Sequence, residues 1–184
     1  MAAAMRRLLF ASIALCLAFV FLYQYRSESW IFACAITWGT VAYHLLIRYL
    51  APVILYLVKR KKYCYESFWF RQKAWEPGLY EKLGVKKWKK KVELWTYDPS
   101  EFSTEHHTLE EIINNMCHAE AVHELIVFAG FSSLLFAVPF GEFWVFFLTA
   151  VLAGGFDMIF VILQRYNRPR VLAILKRKKT KGFC

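Results

Sequence analysis

The chain has 184 residues, of which 58% are hydrophobic, 18% aromatic and 21% charged, and its formal net charge is +10. Soluble domains contain about 45–50% apolar and about 25% charged residues. The composition therefore excludes a disordered tail, a disulfide-rich secreted domain and a typical soluble enzyme. Its five cysteines lack CxxC spacing, which argues against a zinc ribbon. The composition indicates a basic membrane protein.

Apolar stretches in four parts of the chain are candidates for membrane spans, since about 20 apolar residues cross the hydrocarbon core of a bilayer. They cover residues 8–23, 30–58, 122–139 and 143–163. The first stretch follows Arg6 and Arg7, as the apolar part of a signal peptide would. Because no small-residue cleavage site comes after it, we interpret it as an uncleaved helix.

The second stretch is longer than one straight span requires. Arg48 and Pro52 lie within it and predict a bend near residues 48–52. Between the third and fourth stretches, residues 139–142 have the composition of a tight turn, so we expect an antiparallel hairpin there. The sequence thus predicts an all-α integral membrane protein with about four transmembrane helices, forming a single domain over residues 1–184.

Lys and Arg are distributed unevenly among the segments outside the spans. Residues 59–91 contain twelve of them and residues 165–181 contain eight, whereas residues 139–142 contain none. Cytoplasmic loops carry the excess of Lys and Arg. We therefore expect both termini, the central segment of residues 59–121 and the basic tail of residues 164–184 to face the cytoplasm.

The central segment mixes aromatic side chains with lysines, for example Phe68, Trp69, Lys86 and Lys87. Such a mixture occurs where bases of single-stranded nucleic acid stack on a protein. It is also typical of an amphipathic segment that lies on anionic lipid. Next to four spans the second interpretation is favoured, so we expect anionic membrane lipid as a partner and no nucleic acid.

A helix is predicted to begin after Thr108, because Thr108 and Glu111 have the spacing of a capping box. Its apolar stripe, continued at helical spacing, reaches Glu120 and His123 as the helix enters the membrane. One interpretation is an ion pair that is merely tolerated there. The other is a catalytic pair, in which Glu120 orients the imidazole of His123 and His123 acts as the general base.

A metal site is a third interpretation of the same region. The residues concerned are His106, His107, His118, Glu120 and His123. Glu-x-x-His is one half of a carboxylate di-iron motif, but the second half is missing. We therefore predict no metal site, and we expect no other cofactor.

Asp157, His44 and Arg48 are three of the ionisable residues inside the predicted spans. Asp157 belongs to the fourth, and His44 and Arg48 lie one turn apart in the second. Ionisable groups inside a membrane are functional candidates, although a hydrogen bond between helices would also explain them. We treat all three as candidate substrate-binding residues.

The fourth span ends in a polar run that simple membrane anchoring explains poorly. The run is Gln164-Arg165-Tyr166-Asn167-Arg168-Pro169-Arg170. Its guanidinium groups can bind a phosphate or a carboxylate in bidentate fashion. The run is therefore a candidate substrate-binding element.

The run from Gln164 to Arg170 resembles the ending of the glycosyl-4,4'-diaponeurosporenoate acyltransferase family, small bacterial membrane enzymes of carotenoid-glycoside synthesis. Residues 119–123, Ala-Glu-Ala-Val-His, are similar to the family's Ala-Glu-x-x-His element. A Trp- and Lys-rich element of the family is similar to Trp75, Glu76, Gly78, Tyr80, Glu81, Lys82, Trp88 and Lys89. The three elements follow in the family's order.

The resemblance implies transfer of a fatty acyl group from a thioester or phosphate-linked donor to a hydroxyl of a lipid-linked sugar or another lipid acceptor. It implies a multi-pass protein of the bacterial inner membrane with its active site on the cytoplasmic side. His123 would take the proton of the acceptor hydroxyl, and Arg165, Arg168 and Arg170 with Asn167 would bind the donor or the oxyanion. Matching residues of the upstream element would bind substrate: Trp75, Glu76, Tyr80, Lys82, Trp88 and Lys89.

Two other classes of function remain open at this point. A non-enzymatic membrane subunit or lipid-binding adaptor would use the basic aromatic segment and would not need His123. A metal-dependent lipid phosphotransferase or hydrolase would need several carboxylates, and only Glu120 and Asp157 face inward in the predicted helices.

Overall fold

A computed structural model describes residues 2–60, 62–96 and 99–181. The helices are α1 (Ala2–Tyr25), α2 (Ser29–Lys59), α3 (Glu76–Lys82), α4 (Val85–Thr96), α5 (Leu109–Phe131), α6 (Ala137–Phe140) and α7 (Phe143–Lys181). Short 3-10 turns cover Pro99–Phe102 and Ser132–Phe136. These parts of the chain contain no β-strand, so the predicted all-α class is confirmed. Positions 1, 61, 97–98 and 182–184 of the predicted segments lie outside the described residues.

Among the described residues, four helical segments are long and apolar enough to cross a membrane. They are Ala3–Tyr25, Ser29–Lys59, Leu109–Phe140 and Phe143–Thr180. The last two are longer than predicted, because the helices continue beyond the apolar stretches into polar sequence. In α7 the basic tail stays helical to Lys181, as its Leu, Ala, Lys and Arg residues favour. The second helix is not interrupted at residues 48–52 and contains Pro52.

The break between α6 and α7 lies at Gly141 and Glu142, whose φ angles are +68° and +48°. Glycine adopts this left-handed conformation without a steric penalty. The predicted tight turn ends the helix here. Beyond it, Gly154 of α7 lies against the ring of Phe131, where an added Cβ would stand only 3.0 Å from Cε2.

The capping box at the start of α5 is confirmed. The backbone N–H of Thr108 donates to Oε2 of Glu111 at 2.8 Å, and the N–H of Glu111 donates to Oγ1 of Thr108 at 3.2 Å. Each side chain thus satisfies a backbone donor that has no partner within the helix. The capping box fixes where α5 begins, and with it the register of Glu120 and His123.

The chain divides into two compact units. Unit 1 consists of Met1–Ile54 and Glu124–Met158, and unit 2 consists of Leu55–His123 and Ile159–Cys184.

Unit 1 is apolar both inside and outside. Ile31 and Ala150 are fully buried, whereas Phe10 and Leu152 are mostly exposed. An apolar outer surface is what helices in lipid require. Inside the unit, the hydroxyl of Tyr43 donates to the carbonyl of Ala129 at 2.9 Å and thereby joins α2 to α5.

Unit 2 has a small apolar core. The core consists of Phe70, Ile113 and Cys117, with partly buried apolar side chains packed against it, including Tyr63 and Leu172. The chain before α3 is held to α5, because the phenol of Tyr63 lies 3.0 Å from Nδ1 of His118. This core supports the charged groups described next.

Candidate functional site

Glu120 lies at the centre of a buried charge network in unit 2. Its side chain has no exposed surface. Its Oε1 accepts a hydrogen bond from Nη1 of Arg165 at 2.6 Å, and its Oε2 accepts one from Nη1 of Arg168. A buried carboxylate needs such partners, because an unpaired charge away from water is very unfavourable. Glu120 therefore joins α5 to α7 through two charge-assisted hydrogen bonds.

A second buried acid, Glu76, completes the network. Its Oε1 accepts hydrogen bonds from Nη2 of Arg165 at 2.6 Å and from Nε at 3.1 Å. Its Oε2 accepts a hydrogen bond of 2.9 Å from the hydroxyl of Tyr80, one turn later in α3. Burial and this bond to the carboxylate raise the pKa of Tyr80 above its ordinary value. The phenol therefore stays protonated and acts as a donor.

The two arginines also bind backbone carbonyls of the chain before α3. Arg165 donates to the carbonyl oxygen of Trp69 at 3.2 Å, and Arg168 donates to that of Phe70. The guanidinium of Arg168 lies over the ring of Phe70, 5.3 Å from its centroid. Two arginines thus balance two carboxylates and fix a loop, an arrangement that favours a structural role for both guanidinium groups.

His123 lies one turn after Glu120 in α5 and is partly exposed. Its ring stacks on that of Phe160, with centroids 4.7 Å apart and planes inclined by 16°. A flat stack of this kind restricts rotation of the imidazole. Of the predicted pair, Glu120 is fully buried and His123 is partly exposed.

Charged and polar side chains from α4 and α7 lie around the ring of Tyr166. The guanidinium of Arg170 lies 4.0 Å from the ring centroid, and Nζ of Lys89 lies 5.3 Å from it. Lys89 also donates to Oδ1 of Asn167 at 3.0 Å. The ring of Tyr80 meets that of Tyr166 edge-on at 5.7 Å. This contact connects the aromatic group to the buried network through Tyr80.

A cleft of about 520 Å³ opens beside Tyr166, and we call it the basic cleft. Among the described residues, its wall contains the cations Lys86, Lys87 and Arg170 and one acid, Glu81. Such an excess of cations suits an anionic ligand. Lys86 and Lys87 were not among the predicted site residues. Their position just after Gly84, at the start of α4, is the only local signal that sets them apart from the other lysines.

Arg48, Asp157 and His44 lie together within unit 1. Nη2 of Arg48 pairs with Oδ2 of Asp157, whose side chain is 1% exposed, and Nη1 donates to the carbonyl of His44 at 3.0 Å. The carboxylate in the fourth span is therefore paired with a cation from α2. This is the helix-to-helix bond that was one of the two interpretations.

Four of the predicted substrate-binding residues lie outside the buried charge network and do not line the basic cleft. Trp75 is mostly exposed and Lys82 is exposed, while Nε1 of Trp88 donates to the carbonyl of Leu83 at 3.0 Å. Gln164 is buried and lines another cavity, of about 350 Å³, with Asn167 and Arg170.

Comparison with known families identifies the family to which the chain belongs. A model of the glycosyl-4,4'-diaponeurosporenoate acyltransferase family matches residues 66–177, well over half of the chain. The chain belongs to this family. The family resemblance predicted from the sequence is thereby confirmed, and all three elements that carried it lie inside the matched region.

The protein is accordingly an acyltransferase, as predicted. Glu76, Glu120, His123 and the arginines of α7 all fall within the part of the chain that the acyltransferase family model covers. No curated protein matches the chain, and no solved structure matches it. Membership of the acyltransferase family favours an enzyme over a lipid-binding adaptor and gives acyl transfer as its reaction.

Proposed function

We propose that this acyltransferase moves a fatty acyl group from a thioester or phosphate-linked donor to a hydroxyl of a membrane glycolipid, with His123 as the general base. The observation that carries the proposal is the environment of His123. His123 is partly exposed, its ring stacks on Phe160, and it lies one turn from the fully buried Glu120. Family membership supplies the reaction class.

In the proposed reaction His123 accepts the proton of the acceptor hydroxyl while the oxygen of that hydroxyl attacks the acyl carbonyl carbon. A bond forms between the acceptor oxygen and the carbonyl carbon, and the carbonyl oxygen takes the negative charge. The tetrahedral intermediate then collapses, and the bond to the donor's sulfur or oxygen breaks. The protonated imidazole returns its proton to that leaving group. The products are the acylated lipid and the free donor carrier.

Glu120 is proposed as a positioning residue. Its carboxylate holds Arg165 and Arg168 and so fixes α5, which carries His123, against α7. We also propose that Glu120 orients the imidazole of His123 directly. In both roles, removal of the carboxylate would displace the imidazole, and a misplacement of about 1 Å can slow a chemical step by about 10²-fold.

The head group of the donor is proposed to lie in the basic cleft. Since Arg165 and Arg168 are paired with carboxylates, the cations that the cleft offers to an anionic ligand are Lys86, Lys87 and Arg170. Phosphate oxygens would accept their hydrogen bonds. Thioester carriers and phospholipids both contain phosphate, so the cleft is compatible with either donor.

The side of the membrane follows from the distribution of charge. Lys and Arg are concentrated in residues 59–91 and 165–181, which include the basic cleft. Segments of this kind remain in the cytoplasm. We therefore propose that the site faces the cytoplasm of a bacterial cell, next to the anionic lipid of the inner membrane.

The proposal is tested by mass spectrometry of total lipids from native-host cells that lack the protein and then regain it. The wild type should add a glycolipid that is heavier by one acyl group, and His123→Ala at equal protein level should not. His106→Ala is the matched control, since this histidine is exposed in the loop before α5 and should leave the product unchanged. A product of normal amount in the His123→Ala cells would refute the role of the base.

A further inference from the structure

A cavity of about 350 Å³ lies within unit 2, between α5, α7 and the 3-10 turn that contains Phe102. We call it the α5–α7 cavity. Most of its wall is apolar and includes Ile112 and Met116 of α5 and Leu163 of α7. Cavities that bind small molecules are typically about 300–1,000 Å³ and mostly apolar, with a few polar groups that orient the ligand. The α5–α7 cavity has the size and the composition of such a site.

Gln164 supplies a polar group that calls for a ligand. Its side chain lines the cavity and is only 8% exposed. Within the described residues, no hydrogen bond of its carboxamide to another group is found. A carboxamide carries N–H donors and an acceptor oxygen, and buried polar groups are nearly always hydrogen-bonded. A ligand that carries amide or hydroxyl groups would satisfy this side chain.

The α5–α7 cavity adjoins the basic cleft, because Arg170 lines both. Asn167, which also lines the cavity, accepts a hydrogen bond of 3.0 Å from Lys89. Lys89 and Arg170 in turn lie over the ring of Tyr166, in the wall of the cleft. A ligand whose anionic group is bound in the basic cleft can therefore continue past Arg170 into the cavity.

The faces of α5 and α7 that line this cavity also carry the candidate base. Met116 and His123 are seven residues apart and share one face of α5, and Phe160 and Gln164 share one face of α7. The imidazole of His123 stacks on the ring of Phe160. Along α7 the order is Phe160, the cavity residues and then Arg170. The cavity thus lies along the path from the basic cleft to the base.

The distance along this path distinguishes two classes of acyl donor. Arg170 covers the ring of Tyr166, which follows Phe160 by six residues, or about 9 Å of helix rise. An extended chain advances about 1.2 Å per bond, so the roughly five bonds between the phosphorus and the acyl carbon of a phospholipid reach about 6 Å. The roughly thirteen bonds between the phosphorus and the sulfur of a phosphopantetheine thioester reach about 15 Å. The thioester arm spans the path, and the glycerol ester does not.

We propose that the α5–α7 cavity binds the arm of a phosphopantetheine thioester, which joins the phosphate in the basic cleft to the acyl group beside His123. The amide groups of this arm match the carboxamide of Gln164, and its methyl and methylene groups match the apolar wall. The inference rests on the proposed function. It names thioesters, rather than phospholipids, as the donors of the acyl group.

The test measures binding to the purified protein in lipid nanodiscs with two probes that cannot transfer an acyl group. One probe is phosphopantetheine with a hexadecyl thioether in place of the thioester. The other is hexadecyl phosphate, which has the phosphate and the chain but lacks the arm. The wild type should bind the thioether at least about tenfold more tightly, because the arm adds hydrogen bonds and buried apolar area.

Gln164→Leu removes the carboxamide and should weaken binding of the thioether by about tenfold, because an amide of the arm would be buried without a partner. Binding of hexadecyl phosphate should not change. Gln164→Met makes the same test with an unbranched side chain if the leucine variant does not fold. Gln24→Leu is the matched control, since it makes the same change at an exposed glutamine of α1.

Equal affinity of the wild type for the two probes would overturn the inference. So would equal binding of the thioether by the Gln164 variants and by Gln24→Leu. The His123→Ala variant separates the inference from the proposed function, because it should bind the thioether like the wild type whether or not it transfers acyl groups. Conversely, His123-dependent transfer from a phospholipid but not from a thioester would overturn the inference and leave the role of the base intact.

Discussion

Arg168 and Glu120 form an ion pair in the interior of unit 2, where 2% of the arginine side chain and none of the glutamate side chain is exposed. Arg165 binds the same carboxylate and also Glu76. The network therefore joins α3, α5 and α7 by charges that have little access to water. It makes the segment that carries His123 dependent on residues far apart in the chain.

Replacing Glu120 with Ala should destabilise the protein strongly, because two guanidinium groups would lose their buried partner. Breaking a buried pair by removing one member destabilises by about 3–5 kcal/mol. Thermal denaturation in detergent measures the effect. Glu105→Ala removes an exposed acid and should leave the melting temperature unchanged. Equal melting temperatures for both variants would contradict the structural role of the network.

Replacing Tyr80 with Phe should destabilise the protein at neutral pH, because Oε2 of Glu76 loses a donor at 2.9 Å. A hydrogen bond to a charged group contributes about 1.5–3 kcal/mol. The pKa of Tyr80 is raised by burial and by this bond. Its contribution is therefore complete below the pKa of an unfolded tyrosine, about 10, and falls as pH rises above that value. The difference in melting temperature between the wild type and Tyr80→Phe should shrink at alkaline pH. A melting-temperature difference that grows at alkaline pH would contradict a raised pKa of Tyr80 in the folded protein.

Reversing the charge of Lys86 and Lys87 together should raise the KM for an anionic acyl donor by about tenfold or more, since each charge-assisted hydrogen bond contributes about 1.5–3 kcal/mol. The effect should weaken at high salt. Reversal of Lys90 and Lys91 makes the same change of charge on the same helix, on exposed side chains that do not line the basic cleft. If both double variants raise the KM equally, then general surface charge and not the cleft binds the donor.

Replacing Asp157 with Ala should destabilise unit 1, because Arg48 would lose its carboxylate partner inside a membrane-spanning segment. Replacement with Asn keeps an acceptor for the guanidinium and should be tolerated better. Unfolding of each variant in detergent or bicelles ranks the two. An alanine variant as stable as the wild type would show that the pair does not hold α2 and α7 together.

Features that depend on composition or on nearby residues could be predicted from the sequence. The spans are evident because a bilayer requires long apolar segments. The capping box at Thr108 and the placement of Glu120 and His123 on one helix follow from local spacing.

The partners of the charged groups could not be predicted in this way. Arg165 and Glu76 are 89 positions apart, and no local rule selects that pair among the many charges of the chain. The same holds for Lys86 and Lys87, which resemble the other lysines of the central segment until α4 places them beside Arg170. The apolar stretch of residues 143–163 is shorter than α7, because helix propensity extends this helix to Lys181.

The most direct test of the account is the rate of acyl transfer by purified His123→Ala enzyme in lipid vesicles, compared with the wild type at matched folding. Loss of a general base lowers the rate by about 10²–10⁴-fold, and we expect a loss of this size with an unchanged melting temperature. His106→Ala should transfer at the rate of the wild type. A His123→Ala enzyme that transfers acyl groups at the rate of the wild type would contradict the account.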